Sequence, residues 1–343
     1  MDEAPRFLTV DDYEPVAREK LEQGVYDYYA GGAGDEVTLR ENVRAFERWV
    51  LRPRFLRGSG SPDPSTSVLG TEIAFPLLVA PWAYQWMAHE DGEEGTARAA
   101  GDAGTVMVVS STAVDRLEAV VAAGSGPKWW QLYLAEDRRY SVDMLARVSA
   151  AGYGAIVWTV DVPALGLRRR DARNGFALPM GLTGRAASDF EPNLTWDDLA
   201  WIREHAPGLP VLVKGLLTAE DARLAVEHGA DAIVVSNHGG RQLDRSPAGI
   251  DALPEVVEAV AGAIPVLVDG GIRRGLDILT ALALGATAAL VARPVAWGLA
   301  AAGEAGVRDV LRILHDEFVH AMSLTGCRTV DEIGPGLVAP ARS

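Results

Sequence analysis

The chain has 343 residues, and its 47 acidic against 32 basic side chains give a formal net charge of -15. This length allows one large α/β domain or two smaller ones, and the acidic balance argues against binding to nucleic acid or anionic membranes. The single cysteine, Cys327, excludes an internal disulfide framework, and the absence of zinc-like His and Cys spacing predicts no metal site. An anionic substrate must therefore be held by local arginines.

The two ends of the chain and its apolar tracts predict a cytoplasmic protein with no membrane partner. Residues 1–7 are acidic and lack the apolar core of a secretory signal. The longest apolar tract, 281–291, is interrupted by Gly285 and is too short to span a bilayer. The last three residues are not a Ser-Lys-Leu peroxisomal address.

Residues 1–76 are predicted to form an N-terminal helical extension packed on the rest of the protein. Residues 11–21 and 36–49 have helical patterns, and 57–67 is a loop rich in Gly, Ser and Pro.

From residue 77 onward, short β-branched runs alternate with amphipathic stretches of helical period, which is typical of βα units on a parallel sheet. The predicted strands are 77–80, 106–109, 129–133, 155–160, 211–214, 232–235, 266–268 and 288–292. The predicted helices are 92–103, 115–123, 141–151, 195–205, 219–228, 254–261, 276–284 and 307–323. Eight such units predict a (β/α)₈ TIM barrel over 77–330, followed by a C-terminal tail, 331–343. A doubly wound open sheet is the alternative.

The loop after the sixth predicted strand is the most informative stretch of the chain. It runs from Ser236 to Asp244, and two glycines let the backbone turn beside His238. Arg241 follows three residues later and can aim its planar guanidinium at a carboxylate. A base beside an arginine that can bind a carboxylate predicts a reaction on a carboxylic acid.

Polar residues at the other strand ends are expected to converge on the same pocket, because the carboxyl ends of barrel strands share one face. Asp161 is the candidate carboxylate partner of His238. Lys214 faces either a structural ion-pair partner or an electron-accepting cofactor. Arg168 is either a second carboxylate clamp or part of a solvated charge run. The remaining candidates at these ends are Gln131, Tyr133, Thr159 and Ser236.

The loops after the last two strands predict a phosphate site. Asp269 leads into Gly270, Gly271 and Arg273, and the eighth strand runs into Ala292 and Arg293. The alternative is an ordinary turn with two solvated arginines.

Seven fragments in this order resemble the FMN-dependent 2-hydroxyacid oxidase and dehydrogenase family, which includes glycolate oxidase, lactate oxidase, mandelate dehydrogenase and hydroxymandelate oxidase. The fragments are residues 26–32, 80–81, 131–133, 159–163, 213–215, 236–244 and 269–273. The resemblance covers nearly the whole chain. It implies FMN as cofactor and an (S)-2-hydroxy acid as substrate, with the 2-oxo acid as product.

The resemblance also implies roles for individual residues. His238 would be the base and Asp161 its partner, while Arg168, Arg241, Tyr28 and Tyr133 would hold the substrate. Lys214 would offset charge on the reduced flavin. The residues implied around FMN are Pro81, Trp82, Ala83, Ser110, Gln131, Thr159, Lys214 and Ser236 near the ring, Asp269 at the ribityl chain, and Gly270, Gly271, Arg273, Ala292 and Arg293 at the phosphate.

The chain departs from the family pattern at four places. The loop 180–193 is shorter than in glycolate oxidase, which favours a larger substrate. Thr112 stands where glycolate oxidase has tryptophan, Trp82 stands where a small residue is usual, and Ala292 replaces a glycine. The fragments 174–179 and 294–297 resemble bacterial hydroxymandelate oxidases and slightly favour an aromatic, mandelate-like substrate.

Ala83 matches the alanine of the family's oxidases, so we expect O₂ as acceptor and H₂O₂ as product. The resemblance also implies a homo-oligomer. Two alternatives stay open: a dehydrogenase that passes electrons to a quinone or protein, and a non-catalytic flavin- or phosphate-binding barrel.

Overall fold

The computed structural model describes residues 7–58, 60–178 and 190–341. The N-terminal extension contains three helices, as well as short strands that the sequence did not predict. The helices are α1 (Tyr13–Lys20), α2 (Gln23–Ala30) and α3 (Val37–Arg44). The strands are β1 (Trp49–Leu51), β2 (Thr66–Val68) and β3 (Thr71–Ile73), of which β2 and β3 pair antiparallel.

Eight parallel strands then close into a barrel, which confirms the predicted (β/α)₈ fold and excludes the open sheet. They are β4 (Leu77–Val79), β5 (Met107–Val109), β6 (Lys128–Leu132), β7 (Ile156–Thr159), β8 (Val211–Leu216), β9 (Ala232–Val235), β10 (Val266–Asp269) and β11 (Ala288–Val291). Their side chains are almost all buried, because one face fills the barrel interior and the other meets the helices. The barrel closes where β11 pairs with β4.

Helices and short turns connect the barrel strands. They are α4 (Gly92–Asp102), α5 (Leu117–Ala122), α6 (Arg138–Ala151), α7 (Arg169–Asn174), α8 (Asp197–His205), α9 (Ala219–Glu227), α10 (Gly249–Val260), α11 (Gly275–Ala283) and α12 (Arg293–Thr325). Several predicted helix starts differ from the structure, among them that of α6, which was predicted at 141 and begins at Arg138. A 3-10 helix, Ser111–Arg116, precedes α5. Pro254 lies inside α10 rather than at its start, since Ile250 and Leu253 bury an apolar face that begins earlier.

The last predicted helix, 307–323, begins earlier than expected, because α12 starts directly after β11. A break at Ala302 and Gly303 divides α12, and Gly303 has a φ of 59°. Asp91 accepts a hydrogen bond from the Glu304 backbone N–H at 2.8 Å, so its carboxylate caps the second segment.

The region predicted as a C-terminal tail contains β12 (Val338–Pro340), which pairs antiparallel with β1. The chain therefore returns to its own N-terminal extension. Most of the predicted loop 180–193 lies outside the described residues. Across the parts of the chain that are described, no helix combines the length and apolarity needed to cross a membrane.

Candidate active site

A cavity of about 240 Å³ lies at the carboxyl ends of the barrel strands, the face where barrel enzymes carry their catalytic groups. Asp161 and Ser236 lie behind its wall, each hydrogen bonded to a residue that lines it. The other predicted site residues all line the cavity: Tyr28, Pro81, Trp82, Ala83, Ser110, Gln131, Tyr133, Thr159, Arg168, Lys214, His238, Arg241, Asp269, Gly270, Gly271, Arg273, Ala292 and Arg293.

The structure brings His238 and Asp161 together. His238 Nδ1 lies 2.9 Å from Asp161 Oδ1, so this contact fixes the ring and leaves Nε2 facing the cavity. Burial raises the pKa of Asp161, but the nearby His238 and Lys214 outweigh burial and leave that pKa below its ordinary value. Asp161 is therefore an anion beside the His238 ring.

The backbone around His238 is unusual for a residue with a side chain. Its φ is 58°, in the left-handed region, and its N–H donates to Ser236 Oγ at 3.0 Å. The Asn237 side chain accepts from the Gly240 N–H at 3.0 Å and exchanges two amide hydrogen bonds with Asn42. These contacts hold a strained loop in one conformation, as is common at functional sites.

Tyr133 lies directly after β6, and its hydroxyl oxygen is 3.4 Å from His238 Nε2. Its ring stacks on Phe190 with 4.4 Å between the centroids. Burial raises the pKa of Tyr133 far above its ordinary value, so its hydroxyl stays protonated. Tyr133 is thus a hydrogen-bond donor beside the base.

Lys214 forms the ion pair that one of the two sequence hypotheses expected. Its Nζ lies 3.1 Å from Asp269 Oδ2 and donates to Ser236 Oγ at 2.8 Å. The Lys214 side chain is only 4% exposed yet lines the cavity. The pairing does not exclude the second hypothesis, because the ammonium also faces the space where a cofactor would lie. Ser236 links this pair to the His238 backbone, a role that sequence reasoning missed.

Arg168 and Arg241 converge on the ring of Tyr28. Their guanidinium carbons lie 5.6 Å and 4.9 Å from its centroid. Arg241 donates to the carbonyls of Tyr28 and Gly31 at 2.6 Å and 2.9 Å, and burial lowers its pKa to about 10. Arg168 Nε is buried and has no hydrogen-bond partner in the described structure. Two cations side by side over one ring form a site for an anion.

A second cationic region adjoins the first, because Arg293 donates to the same Gly31 carbonyl as Arg241. The hydrogen bonds found for Arg293 reach the carbonyls of Tyr29, Gly239 and Gly31, and burial lowers its pKa to about 9. Burial also lowers the pKa of Arg273. Asp11 partly neutralises Arg273, since its Oδ1 lies 3.6 Å from Arg273 Nε. Carbonyl oxygens do not neutralise a guanidinium group, so Arg293 suits an anion from outside the chain.

Asp277 shapes the loop that carries Arg273. Its Oδ2 accepts from the backbone N–H groups of Arg273 and Arg274 at 2.7 Å and 2.8 Å, and burial raises its pKa to about 6. Only glycine fits at position 271, because its φ is 92° and a Cβ would lie 1.9 Å from the Asn42 carbonyl oxygen.

Several buried polar atoms of the cavity wall have no partner among the described residues. They are Gln131 Nε2, Thr159 Oγ1 and Asp269 Oδ1. An amide and a hydroxyl suit the polar edge of a flavin ring, a carboxylate suits ribityl hydroxyls, and Arg273 with Arg293 suits a phosphate. The residues present therefore fit FMN, the cofactor that the resemblance implied.

Part of the aromatic and aliphatic wall of the cavity was missed from the sequence. The additional lining residues include Tyr84, Tyr140, Met144, Leu178 and Phe190. Met144 lies in the middle of α6, where the sequence offers no signal that distinguishes it from a core residue. Tyr84 has a φ of 58° and follows the predicted Pro81–Ala83 segment directly, so its position was the one available clue.

The structure shows the surroundings of the three residues that depart from the family pattern. Trp82 packs edge-on against Tyr29, with 5.3 Å between the centroids. Thr112 turns back to Ser110, with its Oγ1 3.0 Å from Ser110 Oγ. Ala292 has a φ of -119°, so its backbone lies outside the left-handed region that favours glycine. Among the described residues, no group of three or more His, Cys, Asp or Glu side chains is arranged to hold a metal.

Comparisons with known proteins agree with this geometry. The family model described as FMN-dependent dehydrogenase matches residues 17–340. Glycolate oxidase 3 of Arabidopsis thaliana is 49% identical, with 95% of this chain and 94% of that protein covered. 2-Hydroxyacid oxidase 1 of Mus musculus is 47% identical, with 97% of both covered.

Solved structures of mandelate oxidase have the same fold. One is 46% identical and has a TM-score of 0.91, covering 95% of this chain and 96% of that one. Another, with benzoyl-formic acid, is 47% identical and has a TM-score of 0.90 over the same shares of the two chains.

Proposed function

Because the chain belongs to the FMN-dependent dehydrogenase family, we propose that it is an oxidase that converts an (S)-2-hydroxy acid to the 2-oxo acid, using FMN and O₂ and releasing H₂O₂. One observation carries this proposal. His238 Nε2, oriented by Asp161, faces the same cavity as the two arginines that converge on Tyr28. A base and an anion clamp that share one pocket suit a substrate with a hydroxyl beside a carboxylate.

Substrate binding falls to Arg168 and Arg241. Their charges would hold the carboxylate, and the Tyr133 hydroxyl, which stays protonated, would donate to the same substrate. Holding the acid at three points fixes its α-carbon, and well-oriented reactants can gain about 7–11 kcal/mol of barrier in this way.

His238 would take the proton of the α-hydroxyl at Nε2 while the carbon–oxygen bond becomes a carbonyl. The α-carbon–hydrogen bond breaks in the same oxidation, and bound FMN would supply the acceptor for that hydrogen together with its two bonding electrons. Asp161 would stabilise the imidazolium that forms, and the low pKa of Asp161 keeps it charged for that role. If His238 takes the α-proton instead, the same residues serve.

Lys214 would stabilise negative charge that develops beside it. Its ammonium is buried, hydrogen bonded to Ser236 and paired with Asp269, so it is already ordered before any charge appears. Such ordering is the condition for effective electrostatic stabilisation.

An aromatic 2-hydroxy acid is the substrate class that we favour. Tyr84, Tyr140 and Phe190 line the cavity beside Tyr28 and Tyr133, and rings pack well on rings. The mandelate oxidase neighbours are consistent with this preference. We further propose a reducing, cytoplasmic location, which the single buried cysteine, Cys327, supports, and a homo-oligomer, which the family resemblance implies.

A substrate panel tests the proposal. We expect mandelate to give a higher kcat/KM than glycolate, and one H₂O₂ per oxo acid in air. Turnover that needs an artificial quinone and yields no peroxide would favour the dehydrogenase alternative. No turnover with any 2-hydroxy acid under either condition would leave only the non-catalytic barrel.

A further inference from the structure

Helix α7 holds Arg168 at its N-terminus but has little apolar anchorage. None of its residues is buried, so hydrophobic packing contributes little to its position. Arg168 is the N-cap residue of this helix, and its guanidinium reaches the ring of Tyr28. The position of Arg168 must therefore depend on polar contacts made by its neighbours.

Those contacts lead to the N-terminal extension. Arg170 Nη2 lies 2.6 Å from Glu36 Oε2, and Arg170 Nη1 lies 3.6 Å from Asp27 Oδ1. The Asn174 side chain donates to the Asp27 carboxylate. Just before the helix, the Leu167 carbonyl accepts from the Gly34 N–H at 2.9 Å. Polar contacts therefore join both ends of α7 to the N-terminal extension.

Both acids are largely buried and are held by further hydrogen bonds. The side chain of Asp27 is 11% exposed and that of Glu36 is 16% exposed. Gln23 donates to Asp27 at 2.8 Å, and the Gly32 N–H donates to Glu36 Oε1 at 3.1 Å. Partly desolvated and ordered ion pairs of this kind hold geometry better than solvated ones.

Asp27 also lies next to Tyr28 on α2. The same helix therefore supplies the ring beneath Arg168 and the carboxylate that anchors its neighbour, Arg170. A shift of α7 away from α2 would move Arg168 off Tyr28.

We propose that Asp27, Glu36 and Arg170 form a latch that positions Arg168 to bind the substrate carboxylate. The three are positioning residues, because they act through Arg168 and do not line the cavity. This inference rests on the proposed function only in taking Arg168 as a carboxylate ligand. The latch sets affinity for the acid and leaves the proton transfer at His238 unchanged.

The chain supplies a matched control one residue away. Asp35 pairs with Arg169 on the same helix, but the two side chains are 60% and 53% exposed. Solvent screens such a pair, so its loss has little effect. Asp35→Asn and Glu36→Gln each remove one negative charge from adjacent positions and differ in which arginine they release.

Calorimetric titration of benzoate into the FMN-loaded protein tests the latch without turnover. We expect Glu36→Gln and Asp27→Asn to raise the Kd for benzoate about tenfold, a loss of about 1.4 kcal/mol, with FMN affinity unchanged. Asp35→Asn should match the wild type. In an Arg168→Met background, Glu36→Gln should cause no further change, because the latch acts through Arg168.

Three results would overturn the latch. The first is an unchanged Kd for benzoate in Glu36→Gln. The second is an equal rise in that Kd when Glu36→Gln is made in the wild type and in the Arg168→Met background. The third is wild-type binding of benzoate no tighter than that of Arg168→Met. The proposed function fails separately. If the wild type binds benzoate but oxidises no 2-hydroxy acid, the latch stands and the proposed oxidation is wrong.

Discussion

Asp161 and His238 meet across β8, the strand that separates their own strands in the barrel, with 2.9 Å between Asp161 Oδ1 and His238 Nδ1. Gly215 in β8 makes this approach possible. Its φ is 118°, the strand register shifts there, and a Cβ would lie 2.7 Å from Asp161 Cβ. The orientation of the proposed base, His238, therefore depends on Gly215, which has no side chain.

Gly215→Ala should displace Asp161 from His238. We expect kcat to fall on the order of 10²-fold, because small misplacements of catalytic groups have effects of this size. FMN affinity, measured by fluorescence titration, should change little. Gly229→Ala provides a control, since Gly229 also has a positive φ but a Cβ there meets no atom within 4 Å. Equal losses of kcat in the two variants would contradict the role of Gly215.

His238→Ala should lower kcat by roughly 10²- to 10⁴-fold, the usual contribution of a general base. Asp161→Asn should lower kcat less, since the base remains but its charged form loses a partner. Stopped-flow reduction of the flavin measures both. A His238→Ala variant as fast as the wild type would exclude His238 as the base.

The stability of Asp161→Asn should depend on pH. The pKa of Asp161 is lowered in the folded protein, so its ionised form contributes stability that is present above the ordinary value of 3.8 and is lost as the pH falls through the folded pKa. Urea unfolding should show Asp161→Asn less stable than the wild type at neutral pH, with the gap closing in acid. A gap that widens in acid would contradict this assignment.

Lys214→Met should both impair the reaction and destabilise the fold. The substitution leaves Asp269 buried without its cation, which costs about 3–5 kcal/mol of unfolding free energy. Combining it with Asp269→Asn removes the stranded charge, so the double variant should regain stability but not flavin reduction. Recovery of activity in the double variant would show that Lys214 acts only as an ion-pair partner.

Inorganic phosphate should stabilise the protein freed of FMN, because the hydrogen bonds found for the buried Arg293 guanidinium reach backbone carbonyls, which carry no net charge. Ligand at 100 times its Kd raises the unfolding free energy by about 2.7 kcal/mol. Arg293→Met should lose most of the rise in Tm caused by phosphate. Arg274→Gln is the control, since Arg274 pairs with Asp11 at 2.7 Å. The phosphate site is refuted if Arg293→Met and the wild type respond alike.

The barrel was predictable because its strands are short and almost wholly apolar, and because polar residues follow them at one face. Lys214 and His238 could be placed in one pocket on that basis alone. The start of α10 was predicted five residues too late, at Pro254, whereas the helix and its buried face begin at Gly249.

Side-chain contacts between the N-terminal extension and the barrel loops could not be predicted from residue patterns. Helix α2 was missed, although it carries Tyr28, and the pairing of Arg170 with Glu36 joins residues far apart in the chain. Only the folded backbone brings such groups together. Similarly, the sequence indicated that Arg293 faces a phosphate but not that backbone carbonyls hold its guanidinium in place.

The visible spectrum of the FMN-loaded protein during anaerobic addition of (S)-mandelate is the most direct test of the proposed oxidation. We expect loss of the oxidised flavin band as oxo acid forms in equal amount, and much slower loss of that band in His238→Ala. A flavin that stays oxidised with mandelate and with every other 2-hydroxy acid would contradict the proposed oxidation.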